Sequence, residues 1–210
     1  MHHKKLITAA VLMAVGGAAL AADKTPVTGN VSLTSNYVWR GISQTAKQMA
    51  LQGGFDYAHG SGVYVGVWGS NVNFGDTGTP AATDRAQLET DLYGGYKFKA
   101  AGLDLDVGLL YYMYPGAAGS FKYDFTEVYV GATMGPFSAK YSYASDFQGT
   151  TQEAGSYLDL SASKEFGGIT FAAHVGKSFG SGVEAQYAGY GGEYIDYKVS
   201  ATKDFGGLGV

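Results

Sequence analysis

The sequence contains no cysteine and only 4 proline residues in 210. Without cysteine the chain has no disulfide framework. After the first twenty-one residues it also lacks any apolar run of membrane-helix length, which is about 20 residues. Any later crossing of a bilayer must therefore be made by β-strands.

Positive charge is scarce as well. Without Lys4 and Lys5, 12 basic residues face 18 acidic ones, a formal charge of −6. This balance argues against nucleic acid as a partner. The chain is instead rich in Gly (33), Tyr (17) and Phe (11), and its mean hydropathy is −0.04. That composition is too aromatic for a disordered chain and too rich in glycine for an ordinary helical domain.

The N-terminus has the order of a secretory signal peptide. A short basic segment ending in Lys4 and Lys5 precedes an apolar run from Leu6 to Ala18, and Ala19-Leu20-Ala21 is a small-x-small cleavage site. Residues 1–21 are therefore predicted to be removed, which places residues 22–210 outside the cytoplasm. An N-terminal membrane anchor is the alternative.

The segment from Ser156 to Phe179 shows the pattern on which the rest of the chain is built. Leu158 and Leu160 alternate with Tyr157 and Asp159, and an apolar alternation resumes at Ile169. Between these halves, Gly167-Gly168 supplies the positive φ angles of a two-residue hairpin turn. The pattern predicts two antiparallel strands of about ten residues, the length that a tilted strand needs to cross a bilayer.

The same alternation predicts ten strands in all. Their ranges are Asn30–Arg40, Met49–His59, Val63–Val72, Ala86–Phe98, Leu103–Tyr114, Asp124–Met134, Phe137–Asp146, Ser156–Phe166, Ile169–Phe179 and Glu193–Phe205. Tight turns near residues 60, 100, 135, 167 and 206 alternate with longer connections, among them 41–48, Asn73–Arg85, Pro115–Tyr123, Phe147–Gly155 and Gly180–Gly192.

This asymmetry is typical of an outer-membrane barrel with periplasmic turns and extracellular loops. We therefore predict an all-β, antiparallel, up-and-down transmembrane β-barrel of about 10–12 strands in a single domain. Closure would remove the two unpaired edges of an open sheet. The residues after Gly207 resemble the start of an eleventh strand, so the barrel either closes with ten strands or the sequence stops inside a barrel of twelve. A soluble sandwich with aromatic core residues is the alternative fold.

Two stretches carry a resemblance to a known family. Gly29–Thr45 contains Tyr-x-x-Arg-Gly-Ile-Ser-Gln from Tyr37 to Gln44, and Ala50–Phe74 contains Gln-Gly-Gly-Phe-Asp-Tyr followed by Gly-Val-Trp-Gly-Ser-Asn. In these motifs the chain resembles the TorF-like family of bacterial porins. The resemblance implies an outer-membrane β-barrel that forms a pore, in a Gram-negative bacterium, and it implies no catalytic residue. The chain ends in Gly-Leu-Gly-Val rather than in the terminal aromatic usual for such barrels, which suggests truncation.

If the apolar faces contact lipid, the polar faces line the interior, because a charge on the lipid face costs roughly 2–4 kcal/mol near the midplane. Nine acids, four fixed bases and one histidine then become candidate pore-lining residues: Arg40, Asp56, Glu89, Asp91, Lys97, Asp104, Asp106, Glu127, Lys140, Asp159, Glu165, His174, Asp196 and Lys198. An excess of carboxylates favours cations. Alternatively, paired charges fill the interior and leave no water path.

The expected function is passive diffusion of small hydrophilic solutes or ions with a weak cation preference. The expected partners are membrane lipid and the solute, and the sequence specifies no oligomeric state. A non-conducting structural barrel and a soluble periplasmic barrel with Leu and Val inside are the alternatives. The pairs Asp104/Asp106 and Glu89/Asp91 have the spacing of a cation site, but solvated interior acids account for them better. No cofactor, no metal and no enzymatic activity are expected.

Overall fold

The computed structural model describes residues 26–74, 85–117 and 123–210. The predicted signal peptide, residues 1–21, lies outside these ranges, as does most of the predicted loop Asn73–Arg85. The described chain is all-β apart from short helical turns. Its strands are β1 (Val27–Thr34), β2 (Val38–Trp39), β3 (Ile42–Ser43), β4 (Ala50–Ala58), β5 (Val63–Asn71), β6 (Leu88–Ala100), β7 (Leu103–Met113), β8 (Phe125–Met134), β9 (Phe137–Ala144), β10 (Gly155–Phe166), β11 (Ile169–Phe179) and β12 (Tyr194–Lys203).

Ten of these strands form one antiparallel sheet in the order in which they occur along the chain, from β1 and β4 to β12. This is the predicted up-and-down topology. The tight turns lie where the glycines predict them: Gly167 and Gly168 join β10 to β11 with φ angles of 61° and 75°. Such angles suit a two-residue turn between strands that twist to the right. All tight turns lie at one end of the sheet, the turn end, and the longer connections lie at the other, the loop end.

The two faces of the sheet differ as the alternation predicts. In β10, Leu158 and Leu160 are exposed, whereas Tyr157 is buried and Asp159 is half-buried. The same alternation holds in β4, where Leu51 and Phe55 are exposed and Gln52 is buried. We call the face with exposed Leu, Val and Phe the outer face, and the face with the buried polar residues the inner face.

The sheet does not close into a barrel. Within the described ranges, β1 pairs with β4 only, and β12 has β11 as its one partner strand. Beyond β12 the chain turns back, and Lys203 and Val210 exchange two backbone hydrogen bonds of 2.8 and 2.9 Å. The predicted closure is therefore absent from the structure, and the two edge strands leave part of their backbone unpaired.

The first predicted strand, Asn30–Arg40, is also wrong at its C-terminal end. The strand ends at Thr34, and β2 and β3 form a separate two-stranded hairpin. Arg40 and Gly41 have φ angles of 46° and 79° and form the turn of this hairpin. A strand cannot continue through two such residues, since a positive φ reverses the chain direction.

Several glycines of the inner face lie against tyrosine rings. A Cβ atom on Gly108 would lie 2.6 Å from the phenolic oxygen of Tyr129, the residue opposite it in the register. The ring of Tyr157 lies in the same way against Gly176. Each glycine leaves room for a ring that covers its backbone, an arrangement known to stabilise glycine in sheets.

Buried apolar side chains gather inside the loop end. They include residues from the strands and from the connections: Tyr37, Trp39, Ala50, Trp68, Val72, Ala86, Leu110, Tyr112, Phe125, Ala144, Phe147 and Val183. The connection after β11 contains a short helix of 6 residues, α1 (Ser181–Gln186). None of the helices in the described ranges has the length and apolar character that a membrane crossing demands.

Candidate functional site

A short hairpin lies against the inner face of the sheet. This inner hairpin, Tyr37–Gln44, contains β2 and β3 and is closed by a 2.7 Å hydrogen bond from the Gln44 amide to the Tyr37 carbonyl. It belongs to the connection between β1 and β4, whose facing ends Thr34 and Ala50 are directly paired. The hairpin therefore leaves the sheet, enters its interior and returns to the adjacent strand.

Tyr37 anchors the inner hairpin to β5 and β6. Its phenol donates a 2.7 Å hydrogen bond to Oε1 of Glu89, and its ring meets Trp68 edge-on at 5.5 Å. Burial raises the pKa of the Tyr37 phenol well above its usual value, and the carboxylates of Glu89 and Asp91 raise it further. The phenol consequently remains a proton donor to Glu89.

Trp39 anchors the hairpin to the next part of the sheet. Its indole Nε1 donates to the Tyr112 hydroxyl at 3.3 Å, and its ring stacks on Phe147 with centroids 6.3 Å apart. Phe125 contacts the same indole edge-on. Aromatic contacts of this kind contribute about 0.5–1.5 kcal/mol each beyond their burial. Trp39 thus ties the hairpin to β7, β8 and the connection after β9.

Arg40 occupies the turn of the hairpin and reaches across the inner face. Its Nη2 lies 2.7 Å from Oε2 of Glu127 on β8, and both side chains are almost fully buried. The Tyr112 hydroxyl donates to the same carboxylate oxygen at 3.1 Å. The guanidinium lies 4.3 Å from the ring centroids of both Trp39 and Tyr157. These two rings compensate part of the hydration that the cation loses.

The far side of the hairpin touches the last strand. A Cβ atom on Gly41 would lie 2.7 Å from Cβ of Asp196 on β12. The hairpin therefore contacts β5, β6, β7, β8, β10 and β12 and crosses the interior between them. Only a glycine permits this approach, because any side chain would collide with Asp196 and the φ angle is positive.

Three buried polar atoms around the hairpin have no hydrogen-bond partner in the described part of the chain. They are Nη1 of Arg40, Nε1 of Trp68 and Oδ1 of Asp91. Trp68 and Asp91 are directly opposite each other on β5 and β6. An unsatisfied buried polar group costs about 1–3 kcal/mol. The aromatic rings around the inner hairpin are therefore well packed, whereas some buried polar atoms beside them lack a hydrogen bond in the described ranges.

Below the hairpin, toward the turn end, charged residues of opposite sign are cross-strand neighbours. Lys97 faces Asp106, and Lys140 faces Asp159. Tyrosines hold two of the acids: Tyr64 donates to Asp106 at 2.7 Å, and Tyr93 donates to Asp56 at 2.6 Å. The lysine ammonium groups lie over tyrosine rings, Lys140 at 4.1 Å from the ring centroid of Tyr129 and Lys97 at 4.8 Å from that of Tyr64.

His174 lies between two carboxylates on neighbouring strands. Its Nδ1 is 2.6 Å from Oδ2 of Asp159, and its Nε2 is 2.8 Å from Oδ1 of Asp196. The Tyr157 hydroxyl contacts the same Asp196 carboxylate at 3.1 Å. Each ring nitrogen of His174 thus lies within hydrogen-bond distance of one carboxylate oxygen. The cluster joins β10, β11 and β12 on the inner face.

The structure places every predicted pore-lining residue of the strands on the inner face, but in different surroundings. Glu89, Asp91 and Glu127 are buried around the hairpin, and Arg40 comes from the hairpin itself. Asp104 and Glu165 are exposed near strand ends, where Asp104 pairs with Lys99, and Lys198 is exposed in the middle of the edge strand β12. No group of acidic or histidine side chains in the described ranges has the arrangement of a metal site.

Sequence reasoning misses the aromatic half of this site. It places Tyr37 and Trp39 in a wall strand, whereas they lie inside the sheet beside Arg40. The sequence offers a signal: Arg40-Gly41 interrupts the alternation, and fifteen residues separate Thr34 from Ala50 although the paired strand ends need only a short turn.

A family model named Gcw_chp, described as a bacterial protein of unknown function, matches residues 18–209. The chain belongs to the Gcw_chp family. The match covers the inner hairpin, the whole sheet and the segment that turns back after β12. No curated protein matches the chain.

Proposed function

We propose that this Gcw_chp protein is an outer-membrane β-barrel that acts as a passive diffusion channel for small hydrophilic solutes, with a weak preference for cations. One observation carries the proposal, namely the sidedness of the sheet. Leu160 keeps 47% of its surface exposed and Val31 keeps 75%, whereas Glu89 and Asp91 on the inner face are almost fully buried. In water such an outer face would be a large apolar patch, and in lipid it is the expected surface.

The dimensions of the strands support a membrane location. The ten strands of the sheet have 8 to 13 residues, and a tilted strand of about 9–11 residues spans the hydrocarbon core. The tight turns at one end and the long connections at the other have the asymmetry of outer-membrane barrels. The signal peptide predicted for residues 1–21 supplies export across the inner membrane, and the resemblance to TorF-like porins points to the same location.

The proposal requires that the edges formed by β1 and β12 become paired in the bilayer. An unsatisfied backbone group in hydrocarbon costs several kcal/mol, so an open edge is not stable there. The inner hairpin favours a curved sheet because it contacts β5 at one side of the interior and β12 at the other. Closure with ten strands or with additional strands would both satisfy this requirement.

The cation preference derives from the inner acids that form no ion pair within the described ranges, although Lys97 faces Asp106 across the strands. Glu127, Asp159 and Asp196 are engaged by Arg40 or His174. Asp56 and Asp106 accept hydrogen bonds from tyrosines, which contribute no positive charge. Carboxylates in a pore raise the local concentration of cations. Lys97 and Lys140 offset part of this potential, so the preference is weak.

A second candidate function is that of a non-conducting structural barrel. The observation in its favour is the cluster of buried aromatic side chains at the loop end, which fills the interior around Trp39. Single-channel recording in planar bilayers distinguishes the two. Discrete conductance steps from folded protein, with a reversal potential on the cation side in a KCl gradient, support the channel. A membrane-inserted, folded protein that produces no steps would exclude it in favour of the structural barrel.

A further inference from the structure

We propose that the inner hairpin is the constriction of this pore and that the ion pair between Arg40 and Glu127 holds it in the constricting position. This inference rests on the channel function proposed above and adds the element that controls it.

The hairpin is an obstacle because it crosses the interior. Tyr37 contacts β5 and β6, Arg40 contacts β8 and β10, and Gly41 contacts β12. A solute that moved along the inner face would meet the hairpin at the level of Glu127 and Asp91. Toward the turn end the inner face carries charged and tyrosine side chains but no second chain segment, so the inner hairpin is the one backbone element in the described ranges that crosses the route.

The hairpin is separable because the sheet does not need it. β1 and β4 pair along their full length, from Val27 with Tyr57 to Thr34 with Ala50. The hairpin itself has a ladder of two residue pairs only. Its C-terminal connection has two consecutive non-glycine residues with positive φ, Ala46 at 51° and Lys47 at 64°, both exposed. Such a conformation costs about 1–3 kcal/mol and is relieved if the segment moves.

The hairpin is retained by hydrogen bonds to Glu89, Tyr112, Glu127 and Asn73, in a site that is incompletely satisfied. The Arg40 guanidinium bonds to Glu127 through Nη2 while its buried Nη1 has no hydrogen-bond partner in the described ranges. Oδ1 of Asp91 and Nε1 of Trp68 are in the same situation. Outward movement would expose these groups to water, and their hydration would offset part of the cost of unpacking Trp39. Because the gain in hydration opposes the cost of unpacking, we expect the inner hairpin to move more easily than a fully satisfied core would.

The first experiment removes the hairpin and leaves the wall intact. Residues 35–49 are replaced by Asn-Gly, which suits a two-residue turn between the paired residues Thr34 and Ala50. The variant and the unmodified protein are purified in detergent, checked for folding by circular dichroism, and recorded in planar bilayers. We expect a severalfold larger unitary conductance in the variant.

The second experiment tests Arg40 with a matched control. Arg40→Ala removes the ion pair, and Lys47→Ala removes one positive charge from an exposed position of the same connection. We expect Arg40→Ala to increase the open probability severalfold and Lys47→Ala to leave it unchanged. A fluorescence measurement adds a readout without current: Trp68→Phe leaves Trp39 as the single tryptophan, and Arg40→Ala should increase its quenching by iodide.

The outcomes separate this inference from the channel function. If the unmodified protein conducts and replacement of residues 35–49 leaves the conductance unchanged, the hairpin is not the constriction although the channel function stands. If only the replacement variant conducts, the hairpin closes the pore completely and the inference holds. If neither folded protein conducts, both proposals fail. Equal effects of Arg40→Ala and Lys47→Ala on gating and on quenching would overturn the role of the ion pair.

Discussion

The ring of Tyr64 on β5 lies across Gly95 on β6, so that a Cβ atom on Gly95 would be 2.5 Å from the phenolic oxygen of Tyr64. The same atom would be 2.5 Å from the carbonyl oxygen of Val107 on the other neighbouring strand. Tyr64 is held in this position by its hydrogen bond to Asp106. Gly95 therefore leaves the space in which the Tyr64 ring lies while its hydroxyl binds Asp106.

We expect Gly95→Ala to lower the free energy of unfolding by about 1–3 kcal/mol, because the added methyl group overpacks a fixed ring and a carbonyl. Gly131→Ala is the matched control, since its Cβ atom would have contacts of 3.7–3.9 Å only. This control should be neutral or stabilising by up to about 1 kcal/mol. Urea unfolding followed by tryptophan fluorescence measures both. Equal midpoints for the two variants would contradict the packing argument.

A pair of adjacent residues tests which face meets lipid. Leu160→Lys places a charge on the outer face near the middle of β10 and should cost about 2–4 kcal/mol if that face is in hydrocarbon. Ser161→Lys places the same charge on the inner face beside Asp159 and should be tolerated. The yield of folded protein after insertion into lipid vesicles is the measurement. Tolerance of Lys at position 160 together with failure at position 161 would mean that the membrane assignment of the faces is inverted.

The histidine cluster should contribute to the stability of the last three strands. His174→Gln removes the imidazole that lies between the carboxylates of Asp159 and Asp196, and we expect a loss of about 1–3 kcal/mol, the range for buried polar groups that lose a hydrogen-bond partner. The exposed pair of Lys99 and Asp104 is the comparison, and Lys99→Gln should cost less than about 1 kcal/mol.

A triple variant completes this test. Replacing His174 by Gln together with Asp159→Asn and Asp196→Asn leaves no unpaired charge, so it should recover part of the stability lost in His174→Gln. Urea unfolding provides the comparison. A triple variant less stable than the single one would show that His174 acts through its packing rather than its charge.

The inner acids that form no ion pair within the described ranges should set the ion preference. Asp56→Asn and Asp106→Asn each remove one such charge, and we expect the reversal potential in a KCl gradient to move toward zero. Glu184→Gln, on an exposed position of α1, is the control and should leave it unchanged. Identical potentials in all four proteins would show that these carboxylates do not face the permeation route.

The strands were predictable because one face of each strand is mainly apolar and the other mainly polar. In β7, Leu105, Val107 and Leu109 alternate with Asp104 and Asp106, and the burial in the structure follows that alternation from Asp106 to Met113. The turns were predictable where the backbone requires glycine, as at Gly167-Gly168. Local pattern and final environment agree in these segments, so period and turn chemistry are sufficient.

The inner hairpin was not predictable by the same means. Tyr37 and Trp39 have the spacing of a wall strand, and only their contacts with Trp68, Tyr112 and Phe147 reveal that they lie inside. Leu110 and Tyr112 lie on the same face of β7 as Asp104 and Asp106, and they are buried because the interior is apolar at the loop end. Alternation tells which residues share a face, but a third layer inside a sheet depends on contacts distant in sequence. Sheet closure was predicted from the cost of open edges, a cost that local pattern does not encode.

The contact between Gly41 and Asp196 also determines the order in which the molecule can assemble. It joins the second and the last element of the chain across the entire sequence of wall strands. Contacts with such large sequence separation form slowly, because the loop between them must lose its entropy first. The inner hairpin can therefore complete its contacts only after β12 has formed. Packing of the interior is then a late folding step, and its rate depends on the length of chain between Gly41 and Asp196.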